Sequence, residues 1–496
     1  MSAILELPTE IQSFLGRPPS QTLLLRGPPG TGKTTLSLAL LSNFRGGRFL
    51  ISNRVSAAEL QREFPWVGNG GRIELVDAAG RSEGVKEAAR FVAQLGELVH
   101  APEKEESLRG LWLPPPVQEA WGRASPANPC MIVIDSWDAL VERYLGPPAA
   151  GSGWPDRAEL ERLMLDQMSQ GPVFLVLVVE RSERSQLDYL VNAVLETSAD
   201  GRSGRPERWL HLRKLRGTRI DNPIYPFTLE GARFQCFAPM ARSLRERIVR
   251  PEAEPDPVPG AIWPGCSDFA SAFGRLPVGR ITLLERDLSV PTEAMVLLVR
   301  PAAGHVARSG GRVLHLLPPD IGPEELLRMY RELLPTEEIV QRVRIQPSAP
   351  IGGVPEELAK TIIPPPVSEE RGTQPRTPEA ARFLSGAGRP GSANLSIVWI
   401  PALRAFAAEG GVVYSPDTLP GQALAYLSGA PAHTIFIGPE DDPLVASLRP
   451  MAATRIRLAS RAGRVLVWGE RPTTPSYVLA EGDEGLQRPC RLLRVV

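Results

Sequence analysis

The run Gly27-Pro28-Pro29-Gly30-Thr31-Gly32-Lys33-Thr34 fits the spacing GxxxxGK[ST]. Its residue types suit one task, holding a polyphosphate. The glycines let backbone N–H groups curl around an anion, and a helix opening at Lys33 adds the partial positive charge of its N-terminus. Lys33 brings a point charge to the terminal phosphates, and Thr34 offers a hydroxyl to Mg²⁺. Thr35 completes the binding set, which runs from Gly27. A second element stands further along the chain. Met131-Ile132-Val133-Ile134 reads as a buried strand with Asp135 emerging at its carboxyl end, where an acid can order a metal-bound water beside the phosphates. The loop and the acid together imply ATP and Mg²⁺ as cofactors, with Thr34 and Asp135 facing the metal.

Such a site requires a strand before the loop, a helix after it and a parallel sheet beneath both. The chain supplies the pattern. Pro8 to Leu15 reads as a short helix, Thr22–Arg26 as a strand, Lys33–Asn43 as a helix and Arg48–Ser52 as a strand. A helix at Ala57–Phe64, a strand at Ile73–Val76 and a helix at Gly84–His100 follow, then a Pro-rich insertion over 101–128. Val173–Val179 is a further buried strand, followed by a predicted helix at Gln186–Leu195. Trp209–Lys214 and Pro226–Phe237 read as a closing antiparallel pair. Strands alternating with helices predict an α/β domain with a mostly parallel sheet.

The 496 residues suit two or three domains. Lys+Arg 56 balances Asp+Glu 56, which disfavours a general affinity for nucleic acid or anionic membrane. Gly 45 and Pro 51 predict long irregular loops. The four cysteines are far apart and make no metal-ligand spacing, so a reducing cytoplasm is expected. The N-terminus has no signal-peptide pattern, and no apolar run is long enough to span a bilayer. Lysine is rare, with Lys33, Lys86, Lys104, Lys214 and Lys360 against a background of arginine, so each marks a place where an ammonium is specifically wanted or has simply landed on a surface.

The second half repeats the plan of the first. LPVGRITLLE follows PSQTLLLRG, GGRVLHLLP follows GGRFLISNR, and LSIVWIPAL follows CMIVIDSWDAL. Aligning Thr22 with Thr282 sets an offset of 260, a repeat of domain size. The expected organisation is a nucleotide-binding domain over 1–240, a linker over 241–260 and a degenerate copy over 261–496, with a disordered insertion near 350–392.

The segment Asp135-Ser136-Trp137-Asp138-Ala139-Leu140 resembles the RecA superfamily, in particular its KaiC and RadA branch. Lys214-Leu215-Arg216-Gly217 is similar to the KxRG segment of KaiC-like domains, whose Lys and Arg reach the γ-phosphate of a neighbouring subunit. The resemblance implies two tandem RecA-like domains, a catalytic set of Lys33, Asp135, Lys214, Arg216 and Glu180, and action across an interface between chains or between copies. The entry LPTEIQSFLG, the block RVSAAELQREFPWV and the failing second copy resemble the archaeal gas-vesicle regulators of the GvpD family.

The pattern also breaks. KaiC-like ATPases carry a glutamate pair after the second strand, whereas here the chain reads Ile51-Ser52-Asn53-Arg54-Val55-Ser56. Glu59, Asp138 and Glu180 are the candidate replacements. General-base assistance is worth about 10²–10⁴-fold, so secure binding with slow or absent hydrolysis is expected. In the second copy Gly27 corresponds to Asp287, Gly32 to Thr292, Lys33 to Glu293, Thr34 to Ala294 and Asp135 to Ile400. Arg471 is aligned with Arg216, and Gly469 with the Lys position. The reading is an ATP·Mg-dependent regulatory switch acting on a protein partner, with homo-oligomers allowed. Its alternatives are a RadA-like DNA-dependent ATPase and a KaiC-like autokinase.

Overall fold

The computed structural model describes residues 4–18, 20–52, 54–68, 73–77, 124–139, 157–158, 161–162, 165–166, 171–180, 183, 185–202, 204–239, 250–318, 320–348, 356–363, 383–384, 392–403, 432–482 and 489–495. The chain divides into two compact units, in the main Ile4–Ala238 and Pro239–Arg494. The expected helix at Gly84–His100, the insertion from 101 to 123, Asn53, and most of the stretch near 350–392 lie outside the described residues.

The first unit runs β1 (Ile4–Leu5), α1 (Thr9–Leu15), β2 (Gln21–Arg26), α2 (Lys33–Asn43), β3 (Gly47–Ser52), α3 (Ala57–Glu63), α4 (Pro65–Gly68), β4 (Glu74–Asp77), β5 (Cys130–Asp135), β6 (Val173–Val179), α5 (Leu187–Leu190), β7 (Ala193–Arg202), β8 (Arg205–Leu215), β9 (Ile224–Thr228) and β10 (Gln235–Phe237). Its sheet has the order β4-β3-β5-β6-β2-β7-β8-β9-β10-β1. The neighbours from β4 to β7 are parallel, and those from β7 to β1 are antiparallel. The parallel strands are apolar on both faces because helices cover both. Leu23, Leu25, Met131, Val133, Val176 and Val178 pack with Leu36, Leu38 and Leu40 of α2 on one face. Leu24, Ile132, Ile134, Leu175 and Leu177 pack with Trp137 and Leu187 on the other. Each such fully buried side chain contributes about 1.5–3 kcal/mol, and the period-2 alternation sets which face each one takes.

Two predicted elements differ from those observed. The helix expected over Gln186–Leu195 stops at Leu190, and the chain enters strand β7. Asn192 makes the switch: its Oδ1 accepts from Thr22 N at 2.9 Å and Thr22 Oγ1 at 2.9 Å, and its own N–H reaches Thr22 O at 2.9 Å. That clasp lays Val194 and Leu195 parallel to β2. The single strand expected over Pro226–Phe237 is two, β9 and β10, parted by a turn in which Gly231 adopts φ 66°.

The second unit runs β11 (Ala261–Ile262), α6 (Ser267–Phe273), β12 (Leu276–Pro277), β13 (Ile281–Arg286), α7 (Thr292–Arg308), β14 (Val313–Leu317), α8 (Pro323–Arg331), α9 (Thr336–Arg342), β15 (Val343–Pro347), β16 (Asn394–Trp399), β17 (Ala432–Pro439), α10 (Pro443–Leu448), β18 (Thr454–Arg461), β19 (Arg464–Arg471), β20 (Tyr477–Glu481) and β21 (Cys490–Arg494). Its sheet has the order β15-β14-β16-β17-β13-β18-β19-β20-β21. This is the first sheet's order strand for strand, without a counterpart of β1, and the parallel-to-antiparallel change falls at the same place, after β18. The protein therefore consists of tandem α/β units, each a large, mostly parallel mixed sheet flanked by helices. Among the described residues no helix is long and apolar enough to cross a membrane.

Candidate functional site

The loop between β2 and α2 is held from below. Arg26, the last residue of β2, donates to Asp188 at 2.7 Å and to Glu196 at 2.8 Å. The next residue, Gly27, has φ 153°, and a Cβ there would stand 2.3 Å from Thr197 O. Gly32 has φ 90°, and a Cβ would meet Leu229 Cδ1 at 2.9 Å. Only glycine suits these two positions. Thr31 Oγ1 lies 2.7 Å from Thr197 Oγ1 and donates to Pro28 O at 2.8 Å, closing the turn. No side chain caps the N-terminus of α2 at Gly32. The first N–H groups of the helix are thus left for a ligand.

A cavity of about 380 Å³ opens over this loop, lined among others by Gly30, Lys33, Thr34, Arg54, Asp135 and Glu180. Lys33 Nζ donates to Gly27 O and Pro28 O, both at 2.8 Å, so the ammonium is folded back over the loop. Burial lowers its pKa from the ordinary lysine range, against the charges of Glu180 and Asp135. Thr34 Oγ1 donates to Asp135 Oδ2 at 2.7 Å, bringing together the two residues assigned to the metal. Burial raises the Asp135 carboxyl above the usual carboxylate range, despite the Thr34 hydrogen bond and the Lys33 charge. A hydroxyl and a half-buried carboxylate beside an ammonium and uncapped N–H groups form a donor set that fits a Mg²⁺-bound polyphosphate. Pro29, Gly30 and Gly32 also line the cavity, whereas Gly27, Pro28 and Thr31 shape the loop and Thr35 is buried behind it.

The remaining predicted residues separate. Glu180 lines the cavity at the end of β6. Its N–H donates to Asp138 Oδ2 at 2.9 Å, and Asp138 Oδ1 accepts from Arg157 at 2.6 Å. Asp138 is thereby engaged behind Glu180. Glu59 forms a capping box with Ser56 at the start of α3 and is absent from the cavity lining, so it is no replacement base. Lys214 Nζ donates to Asp188 O at 2.9 Å and Tyr189 O at 3.2 Å, and Arg216 is exposed; the unit's own fold does not bring either to the cavity. Two arginines were not singled out by sequence. Arg208 of β8 donates to Gly30 O at 2.6 Å, and Arg54 pairs with Glu180.

The equivalent place in the second unit is built differently. Strand register matches Leu24 with Leu284, Leu177 with Ile437 and Ile134 with Trp399, which puts Ile400 opposite Asp135. The loop after β13 closes on itself: Asp287 Oδ1 accepts from Ser289 N and Oγ at 2.8 Å, and Arg286 donates to Val290 O at 3.1 Å. Its helix starts after Pro291, with Glu293 in the first turn. Gly469 occupies the ladder position of Lys214, as the sequence alignment has it. Arg471 pairs with Arg455, the place Leu215 takes against Ala193, one residue short of Arg216. The bulges between Val194 and Leu195 and between Arg455 and Ile456 cause that shift.

The class this defines is a tandem α/β protein with a glycine-loop cavity in its first unit and a closed, acid-bearing loop in its second. The chain is homologous to Protein GvpD2 of Halobacterium salinarum (strain ATCC 700922 / JCM 11081 / NRC-1), 31% identical over 311 residues that cover 60% of this chain and 58% of that protein. It is also 29% identical over 250 residues to Protein GvpD1 of the same organism, covering 48% of this chain and 42% of that one. The matches thus span less than two thirds of either relative. No family model matches the chain.

Proposed function

We propose that the first unit binds ATP with Mg²⁺ and that the bound state switches the protein's action on a protein partner. One observation carries the reading: the Thr34–Asp135 hydrogen bond of 2.7 Å beside Lys33, over a loop where Gly27 and Gly32 have no substitute. On this reading the loop N–H groups and Lys33 bind the phosphates, and Thr34 and Asp135 hold the metal, directly or through water. Mg²⁺ there would neutralise phosphate charge and fix the nucleotide's orientation. The second unit, with Glu293 where Lys33 stands and Ile400 opposite Asp135, serves structure or partner binding. RecA-like ancestry is supported by the strand order and the loop's position in it.

The homology to the GvpD proteins supports a regulatory role, and gas-vesicle formation is the process proposed. Slow hydrolysis goes with this reading, because the chain carries Ser52-Asn53-Arg54 where KaiC-like ATPases carry the glutamate pair that polarises the attacking water. The test is equilibrium binding of ATP with and without Mg²⁺, with turnover measured alone and with DNA. Mg²⁺-dependent binding with turnover indifferent to DNA is the expected result. Turnover stimulated by DNA would instead support the recombinase-like reading.

A further inference from the structure

Arg54 lies two residues beyond the end of β3, and its guanidinium crosses the cavity to the carboxylate of Glu180 at the end of β6. The pair is bidentate: Nη1 faces Oε1 and Nη2 donates to Oε2 at 2.8 Å. The two partners are held differently. Glu180 ends a fully buried strand and is pinned through its N–H by Asp138, whose carboxylate is itself engaged by Arg157. The Arg54 side chain is 46% exposed and stands just before the Ser56 cap of α3, so the guanidinium is the partner able to turn. Both residues share the cavity with Lys33, Thr34 and Asp135. A planar fork of donors that suits a carboxylate suits a phosphate equally, and a terminal phosphate carries the greater charge.

We propose that Arg54 is the residue by which this site distinguishes a nucleoside triphosphate from a diphosphate: Glu180 holds its guanidinium across the cavity, and the terminal phosphate competes for it. The inference rests on the proposed nucleotide site. It adds that the Arg54–Glu180 pair competes with the ligand, so that Glu180 opposes triphosphate binding while Arg54 favours it. A diphosphate, lacking the third phosphate, leaves the pair closed.

The experiment measures the affinities of Mg·ADP and of a Mg²⁺-bound non-hydrolysable ATP analogue for the full chain, for Arg54→Gln, for Arg54→Lys and for Glu180→Gln, with thermal unfolding as the folding control. Arg54→Gln is expected to lower the triphosphate-over-diphosphate preference by about tenfold or more, the scale of one charged hydrogen bond, with diphosphate affinity within about twofold of the unaltered chain. Arg54→Lys should restore part of the preference. Glu180→Gln, which removes the competitor, should raise triphosphate affinity. An Arg54→Gln chain that folds and keeps the preference, or loses both affinities equally, overturns the inference while leaving the nucleotide site standing; so does a Glu180→Gln chain that binds the triphosphate more weakly. Absence of both nucleotides from the unaltered chain would overturn the site and this inference together.

Discussion

Lys33→Met separates the fold from the site. The ammonium donates to Gly27 O and Pro28 O at 2.8 Å, and Lys33 is 7% exposed. Burial already disfavours its charged form, so removing the charge relieves part of that cost. Methionine keeps most of the apolar stem but leaves the Gly27 and Pro28 carbonyls without that donor. The two effects oppose each other, and stability should change by no more than about 1 kcal/mol. Binding has no such offset. On the proposed reading two charge-assisted hydrogen bonds of about 1.5 kcal/mol or more each are lost to the phosphates, on the order of a hundredfold in affinity. Calorimetric titration with ATP and Mg²⁺, paired with urea unfolding of the empty chain, reads both quantities. A variant that unfolds like the parent and binds ATP as tightly would refute the role given to Lys33.

Asp135→Asn should weaken Mg²⁺-dependent binding, while stabilising the nucleotide-free protein at neutral pH. The sign follows from the raised pKa: a carboxyl whose folded pKa lies above its unfolded one adds stability only while protonated, and that contribution is lost as pH rises through the folded value. The melting-temperature gain of the variant is therefore largest above that value and shrinks toward zero below the usual carboxylate range; a gain that grows with acid would contradict it. In the second unit Glu285 is fully buried and holds Arg449 and Arg455, each at 2.8 Å. Glu285→Gln removes the buried charge that these two arginines share and should cost about 1.5–3 kcal/mol by denaturant unfolding. His433 is buried and its pKa lowered to about 4, so acid should destabilise the second unit as pH falls from about 6.5 toward that value, and His433→Gln should flatten that dependence in a pH series of melts.

Much of this was readable in the chain because it depends on local spacing. The Gly27 loop, the helix beginning at Lys33 and the strand ending in Asp135 each declare themselves within a few residues, and their meeting follows once the sheet is parallel. The tandem copies were readable because the offset of 260 carries β2 onto β13 end for end. Other features depend on partners distant in sequence. Nothing near Gln186–Leu195 announces that Asn192 will clasp Thr22 and turn a helical pattern into a strand. Arg54 stands where KaiC-like chains carry a carboxylate, and its partner Glu180 follows the end of β6, far away in sequence. Arg208 reaches Gly30 from β8, six residues before Lys214 of the Lys214–Gly217 segment. The alignment of Arg471 with Arg216 failed by one residue because bulges fall at different places in the two antiparallel ladders, a register detail invisible to linear comparison.

The central claim is an asymmetry between the halves, and the number of nucleotides bound per chain tests it. Titration of the full chain with ATP and Mg²⁺ should saturate at one per chain, and should do so again for Glu293→Lys, because the Asp287-closed loop and Ile400 remain. Two per chain in the unaltered protein, or a single site whose affinity Lys33→Met leaves unchanged, would contradict the account.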